Sequence, residues 1–187
     1  MISEDRGSSQ GDWVIATENA PFRTLFINEA LNLQLVEKTS MVRLIIVDDH
    51  FHVRQAWSWV LNQVPRIDVI AQCSNGEEAI EAAQRLQPDV ILMDIHMAPV
   101  NGIEATRTIR QFSPVIKIIG VSIQAERSYV NEMLRNGANG YVTKNSSSSE
   151  MIMAIDEVLA GNTYICEEVG QLRNRDLPVI PPAPFPS

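Results

Sequence analysis

The stretch Asp89-Val-Ile-Leu-Met-Asp94-Ile-His-Met97 carries the clearest strand pattern of the sequence. Four consecutive apolar residues precede Asp94, and an uninterrupted apolar run is typical of a strand that is buried on both faces of a parallel sheet. Such a strand brings the carboxylate that follows it to the carboxyl edge of the sheet, where ligands bind in α/β folds. Asp94 is therefore a candidate nucleophile. An Asp that only ends a strand or begins a turn is the commoner case, so the neighbouring elements must decide.

Strand and helix patterns alternate on both sides of this stretch. Asn75 and Asn101 are each followed three residues later by Glu, which predicts two capped helix N-termini, and Gly137 predicts a left-handed helix end. Five β/α units predict a flavodoxin-like (βα)5 fold, a doubly wound parallel sheet with strand order 2-1-3-4-5. The predicted strands are 42–47, 69–73, 90–93, 115–121 and 140–143, and the predicted helices are 53–63, 75–87, 101–112, 126–136 and 148–160.

The two ends of the chain depart from this pattern. Residues 1–40 fit neither periodicity, so we expect a poorly ordered N-terminal extension, or one produced by a misassigned start before Met41. Residues 170–187 hold five of the ten prolines and predict an extended Pro-rich tail, either a ligand for an SH3-like partner or an unstructured end. The folded domain is expected over 41–169.

Composition restricts the class of function. The 187 residues are 45% hydrophobic and 20% charged, which is typical of a globular protein, and the net charge of -8 argues against direct binding of nucleic acid. Cys73 and Cys166 have no zinc or disulfide spacing. Because the sequence has neither a signal peptide pattern nor eighteen consecutive apolar residues, we expect a cytoplasmic protein without a membrane partner. In the first helix, Trp57 is predicted to pack in the core and Trp59 to be a contact residue.

Polar residues follow four of the predicted strands. They are Asp48 and Asp49 after the first strand, Asp94 after the third, Ser122 at the fourth and Lys144 after the fifth. We expect them to converge at one sheet edge, where three carboxylates would repel each other unless a cation lies among them. Mg²⁺ prefers such oxygen ligands. An ionised Asp94 could then attack a phosphoryl group without a general base, Lys144 could balance the added charge, and the Ser122 hydroxyl could donate to a phosphoryl oxygen.

The sequence resembles the receiver domain of two-component response regulators from about Met41 to Val169. The resemblance rests on LIIVDDH (44–50), PDVILMDIHM (88–97), NGIEATRTIR (101–110), GVS (120–122) and NGANGYVTK (136–144). The segment AIDEVLAGNTYI (154–165), assigned to the last helix, is most similar to the NarL/FixJ-type subfamily.

The resemblance implies a role for each of these residues. Asp94 would be the phosphoacceptor, with Lys144 as its charge partner. Asp49, Asp94 and the backbone carbonyl of His96 would bind Mg²⁺ directly, and Asp48 would act through water. Ser122 would be the switch hydroxyl and Tyr141 the switch aromatic, while His96 and Gln124 would tune dephosphorylation.

Three positions depart from the common family pattern. Asn145 replaces a frequent proline, so no cis peptide is expected after Lys144. Ala98-Pro99 shifts the usual proline by one place, and Ile123 is bulkier than the small residue often found there, which predicts hindered access to the phosphoryl group.

The resemblance also implies partners. A sensor histidine kinase or phosphotransfer protein would supply the phosphoryl group, an unknown output protein would respond, and a homodimer is compatible with the family. No helix-turn-helix pattern follows Val169, so DNA binding is not predicted from this chain. Two alternatives stay open: a haloacid-dehalogenase-like phosphatase, which also uses a strand-end Asp and Mg²⁺, and an interaction domain that works without phosphorylation.

Overall fold

The computed structural model describes residues 41–170. The expectations of a poorly ordered extension over 1–40 and of a Pro-rich tail beyond residue 170 lie outside the described residues. In the described part, no helix is both long and apolar enough to cross a membrane.

Six parallel strands form one sheet. The strands are β1 (Val42–Val47), β2 (Ile67–Cys73), β3 (Val90–Asp94), β4 (Lys117–Ser122), β5 (Gly140–Thr143) and β6 (Tyr164–Ile165). Their order in the sheet is β2-β1-β3-β4-β5-β6. This order confirms the flavodoxin-like fold and the predicted 2-1-3-4-5 arrangement, and it adds a sixth strand.

The apolar runs form the centre of the sheet. Every residue of β3 is buried, and so is every residue of β4 except Lys117, because neighbouring strands and helices cover both faces. The helices are α1 (Phe51–Leu61), α2 (Gly76–Leu86), α3 (Gly102–Phe112), α4 (Arg127–Arg135), α5 (Ser148–Leu159) and α6 (Glu167–Gly170). Helices α1 and α5 contact each other, while α2, α3 and α4 contact one another in succession, as expected for helices divided between two faces.

The helix ends predicted at Asn75, Asn101 and Gly137 are confirmed. The Asn75 side chain accepts a hydrogen bond from Glu78 N, and the Asn101 side chain accepts one from Glu104 N, each over 2.9 Å. The Glu78 carboxylate accepts from the backbone N–H of Ser74 rather than from that of Asn75, so the capping box is displaced by one residue. Gly137 has φ +100° and ends the turn after α4 in the left-handed region.

Some predicted boundaries are wrong. α1 begins two residues earlier than predicted, directly after His50, and β2 begins at the buried Ile67 rather than at residue 69. β4 begins at Lys117 rather than at residue 115. Val115 is exposed, the carbonyl of Ile116 accepts a hydrogen bond from Arg110, and the pairing with β3 begins at Lys117.

The segment after α5 is the largest structural difference from the sequence prediction. Residues 164–165 do not extend the last helix but form β6, which pairs with β5, and α6 follows. Glu168 accepts a hydrogen bond from the buried Thr143 hydroxyl over 2.6 Å, which fixes α6 against the end of β5. As predicted, Trp57 packs against the core. Trp59 is 69% exposed, and its role as a contact residue stays a prediction.

Candidate functional site

Lys144 brings two of the predicted carboxylates together at the carboxyl edge of the sheet. Its Nζ atom lies 2.6 Å from Asp48 Oδ2 and 2.7 Å from Asp94 Oδ2. The carboxylates come from the adjacent strands β1 and β3, and the lysine reaches them from the end of β5, across β4. The side chains of Asp48 and Asp94 are only 5% and 3% exposed, so the three charges interact with little solvent between them.

Burial and pairing act differently on the two kinds of group. Burial raises the pKa of Asp94 above its ordinary value, and this effect outweighs the hydrogen bond and charge of Lys144. Burial opposes the charged form of Lys144 as well, but hydrogen bonds to Asp48 and Asp94 outweigh it and raise the lysine pKa. The pKa values of Asp94 and Lys144 can both be raised because Lys144 has two anionic partners, whereas Asp94 shares its one cationic partner with Asp48.

One further oxygen of each of the three carboxylates has a backbone or imidazole partner. Asp48 Oδ1 accepts from the backbone N–H of His50 over 2.8 Å, and Asp94 Oδ1 accepts from that of His96 over 3.3 Å. Asp49 Oδ1 lies 2.7 Å from His50 Nδ1. The sequence interpretation missed His50, although its place directly after the acidic pair is visible in the motif.

These side chains form a candidate cation site. One ligand atom from each of Asp48, Asp49, His50 and Asp94 lies within 4.8 Å of the others. Three carboxylates in one cluster are ligands suited to a hard divalent cation such as Mg²⁺. A cavity of about 510 Å³, lined in part by Asp49, His96 and Tyr129, opens beside the cluster.

Ser122 and Tyr141 form a second group at the same edge. Ser122 is fully buried at the end of β4, and its hydroxyl accepts from Gln124 N over 3.1 Å, whereas no hydrogen bond joins it to Asp94. The ring of Tyr141 is also fully buried, and its hydroxyl donates to the carbonyl of Gln124 over 2.6 Å. Burial raises the pKa of Tyr141 to about 12, so this hydroxyl stays a donor at neutral pH.

The loops around Asp94 carry the remaining predicted residues. The exposed His96 ring packs edge-to-face on Tyr129 at 4.8 Å between ring centroids. The Ile123 side chain is 68% exposed, and Gln124 is partly buried. Within residues 41–170 the one cis peptide bond is Ala98-Pro99, so the expectation of no cis peptide after Lys144 is confirmed.

Comparison with known proteins decides the family. The sequence model of the response regulator receiver domain family matches residues 44–156, which is more than half of the chain. The chain belongs to the response regulator receiver family. Among curated relatives, the response regulator GacA of Pseudomonas viridiflava is 38% identical over 131 residues, covering 70% of this chain and 61% of GacA. DegU of Brevibacillus brevis is 39% identical over 128 residues, covering 68% of this chain and 54% of DegU.

Solved receiver structures have the same fold. A LuxR-family response regulator from an Aurantimonas species superposes with a TM-score of 0.68 at 32% identity, over 71% of this chain and 94% of that one. The receiver domain of a NarL-type regulator from Mycobacterium tuberculosis superposes with a TM-score of 0.63 at 25% identity, over 66% of this chain and 99% of that one. The receiver chain spans 54–61% of the length of the two curated relatives, GacA and DegU.

Proposed function

We propose that this receiver is a phosphorylation switch in which Asp94 accepts a phosphoryl group from a histidine kinase or a phosphotransfer protein. The observation that carries the proposal is the contact of one lysine, Lys144, with both Asp48 and Asp94 in a buried acidic cluster. An Asp that only ends a strand or begins a turn does not require a buried cationic partner. A carboxylate that gains a phosphoryl group does, because the added negative charge must be balanced. The family relationship supports the same function.

The proposed reaction uses Asp94 as the nucleophile. A carboxylate oxygen forms a bond to phosphorus, the bond from phosphorus to the donor nitrogen breaks, and the electron pair leaves with the imidazole of the donor. Asp94 needs no general base in this step because its reactive form is the ionised carboxylate. Its burial keeps bulk water away from the attacking oxygen, and Lys144 stabilises the negative charge that accumulates on the acyl phosphate.

A divalent cation would complete the site. Asp49, Asp94 and the backbone carbonyl of His96 would hold Mg²⁺ directly, and Asp48 would act through water. The cation would supply positive charge next to the phosphoryl oxygens. The cluster of acidic side chains supports this assignment through its donor chemistry.

The readout would begin at Ser122. A phosphoryl oxygen on Asp94 offers an acceptor for the Ser122 hydroxyl, which could move toward it and take the loop after β4 along. Tyr141 is hydrogen-bonded to that loop at Gln124, so the aromatic ring would respond to its movement. The proposed output surface is formed by α4, β5 and α5 and would bind an unknown output protein or a second copy of the chain.

In this role the protein is a switch rather than a turnover enzyme. Phosphorylation and hydrolysis would be slow and self-catalysed, with His96 and Gln124 setting the lifetime of the phosphoaspartate. A cytoplasmic location is part of the proposal, and the buried free thiols of Cys73 and Cys166 are compatible with it. The phosphatase alternative is not favoured, because the family relationship is to receiver domains.

Acetyl phosphate tests the proposal without knowledge of the kinase. With Mg²⁺, the full chain should gain the mass of one phosphoryl group in intact mass spectrometry, and Asp94→Asn should gain none. Chelation of divalent cations should abolish the gain in the wild type. Equal modification of Asp94→Asn would overturn the assignment of the phosphoacceptor.

A further inference from the structure

The three carboxylates of the site differ in burial and in their contact with Lys144. Asp48 and Asp94 are buried and share Lys144, whereas the side chain of Asp49 is 40% exposed and has no contact with the lysine. Within the described part of the chain, the one ion-pair or hydrogen-bond partner of the Asp49 carboxylate is His50. A carboxylate with so few contacts loses more rotational freedom when it binds a cation, unless another group orients it beforehand.

His50 is placed to provide that orientation. Its backbone N–H donates to Asp48 Oδ1 over 2.8 Å, which anchors the residue to the buried part of the cluster. Its Nδ1 atom lies 2.7 Å from Asp49 Oδ1 and 3.3 Å from Asp48 Oδ1. The imidazole is 70% exposed, so these polar contacts, rather than burial in the core, account for its direction.

We propose that His50 is a positioning residue of the divalent-cation site: its Nδ1–H donates to Asp49 and holds that carboxylate beside Asp48 and Asp94. The inference rests on the proposed function, because it requires that these carboxylates bind a divalent cation. Groups that hydrogen-bond to metal ligands commonly change metal affinity by about 10- to 100-fold. His50 acts on cation affinity through Asp49 and is not itself a ligand.

Calorimetric titration of the full 187-residue chain with Mg²⁺, without a phosphoryl donor, tests the proposal. His50→Ala should weaken Mg²⁺ binding by about tenfold, since Asp49 loses its partner. His50→Asn should stay within about threefold of the wild type, because the amide N–H of asparagine can replace the Nδ1–H of histidine. His52→Ala is the matched control, since His52 is exposed in the first turn of α1, two residues after His50, and lies outside the cluster.

Three outcomes would overturn the proposal. Unchanged affinity in His50→Ala would mean that Asp49 needs no orientation, and tighter binding would mean that His50 competes with the cation. Affinity in His50→Asn as weak as in His50→Ala would mean that the imidazole ring is required, as for a direct ligand.

The proposed function can fail separately. If acetyl phosphate modifies Asp94 in the presence of Mg²⁺ while the His50 variants bind Mg²⁺ like the wild type, the role of His50 is refuted and the phosphoacceptor stands. If His50→Ala weakens Mg²⁺ binding but Asp94 is never phosphorylated, the positioning role stands and the phosphoacceptor falls. Failure of the wild type to bind Mg²⁺ would refute the cation site and, with it, the role of His50.

Discussion

Lys144 and Arg110 are two shielded cations in very different surroundings. Lys144 lies at the carboxyl edge of the sheet between the carboxylates of Asp48 and Asp94. Arg110, in the last turn of α3, has no carboxylate partner among residues 41–170. Its guanidinium instead donates to the carbonyls of Ser113 and Ile116 over 3.0 and 2.5 Å, to the carbonyl of Gly137 over 2.6 Å, and to Asn139 Oδ1 over 2.6 Å.

The two environments shift the pKa values of Arg110 and Lys144 in opposite directions. Burial lowers the pKa of Arg110 to about 10, and none of its neutral partners compensates for the charge. The carboxylate partners of Lys144 outweigh its burial and raise its pKa. Arg110 therefore uses its charge to tie α3 and β4 to the turn before β5, whereas Lys144 can respond when the charge on Asp94 changes.

The largest difference is expected in phosphorylation by acetyl phosphate. Lys144→Met should slow the modification of Asp94 about 100- to 1000-fold, because the charge that stabilises the acyl phosphate is lost. Arg110→Lys should leave the rate within about threefold of the wild type, measured by intact mass spectrometry under the same conditions. Equal losses in both variants would mean that Lys144 acts only through the fold.

In the presence of Mg²⁺, loss of Arg110 should lower the free energy of unfolding more than loss of Lys144. Arg110→Met should lower the free energy of unfolding by about 3 kcal/mol, since several buried acceptors lose their donor. Lys144→Met should cost about as much without metal, because Asp48 and Asp94 are left unpaired, but Mg²⁺ should restore part of that loss. Urea unfolding with and without Mg²⁺ checks both, and restoration of Arg110→Met by Mg²⁺ would contradict the comparison.

Conservative exchanges should have smaller effects. Arg110→Lys should still cost about 2 kcal/mol, because one ammonium cannot reach four acceptors that a planar guanidinium spans. Lys144→Arg keeps the charge between two carboxylates and should cost less than about 1 kcal/mol. The free energies of unfolding of the two variants, measured by urea titration, give the comparison, and a larger loss for Lys144→Arg would refute it.

Removal of the Asp94 charge should produce a modest gain in stability rather than a loss. Burial raises the pKa of Asp94, so the ionised carboxylate destabilises the fold at pH values above its unfolded pKa. Asp94→Asn should therefore raise the free energy of unfolding by about 1 kcal/mol at pH 7 without metal. The gain should shrink as pH falls through the raised folded-state pKa, where Asp94 becomes protonated, and a gain that grows on acidification would have the wrong sign.

The sequence predicted the carboxyl edge better than the Arg110 cluster for a physical reason. Asp48, Asp94 and Lys144 each follow a strand pattern that is recognisable in the sequence. Because the carboxyl ends of parallel strands lie at one edge of a sheet, the sequence also predicts that these residues lie together. Arg110 resembles an ordinary basic residue in the last turn of a helix. Its partners Gly137 and Asn139 come from a distant turn, so only the folded chain shows the contact.

Short elements and local side-chain contacts could not be predicted from the sequence patterns either. β6 has two residues and α6 has four, too few for a periodicity to be recognised, and β6 forms because β5 offers it an open edge. His50 lacked a predicted role because its imidazole contacts depend on the turn that follows β1.

Locating the phosphoryl group is the most direct test of the account. After treatment with acetyl phosphate and Mg²⁺, borohydride reduction converts an aspartyl phosphate into homoserine, and peptide mass spectrometry identifies the converted position. The account predicts homoserine at position 94 and at neither 48 nor 49. Conversion at either of those positions, or phosphorylated protein without conversion at position 94, would contradict it.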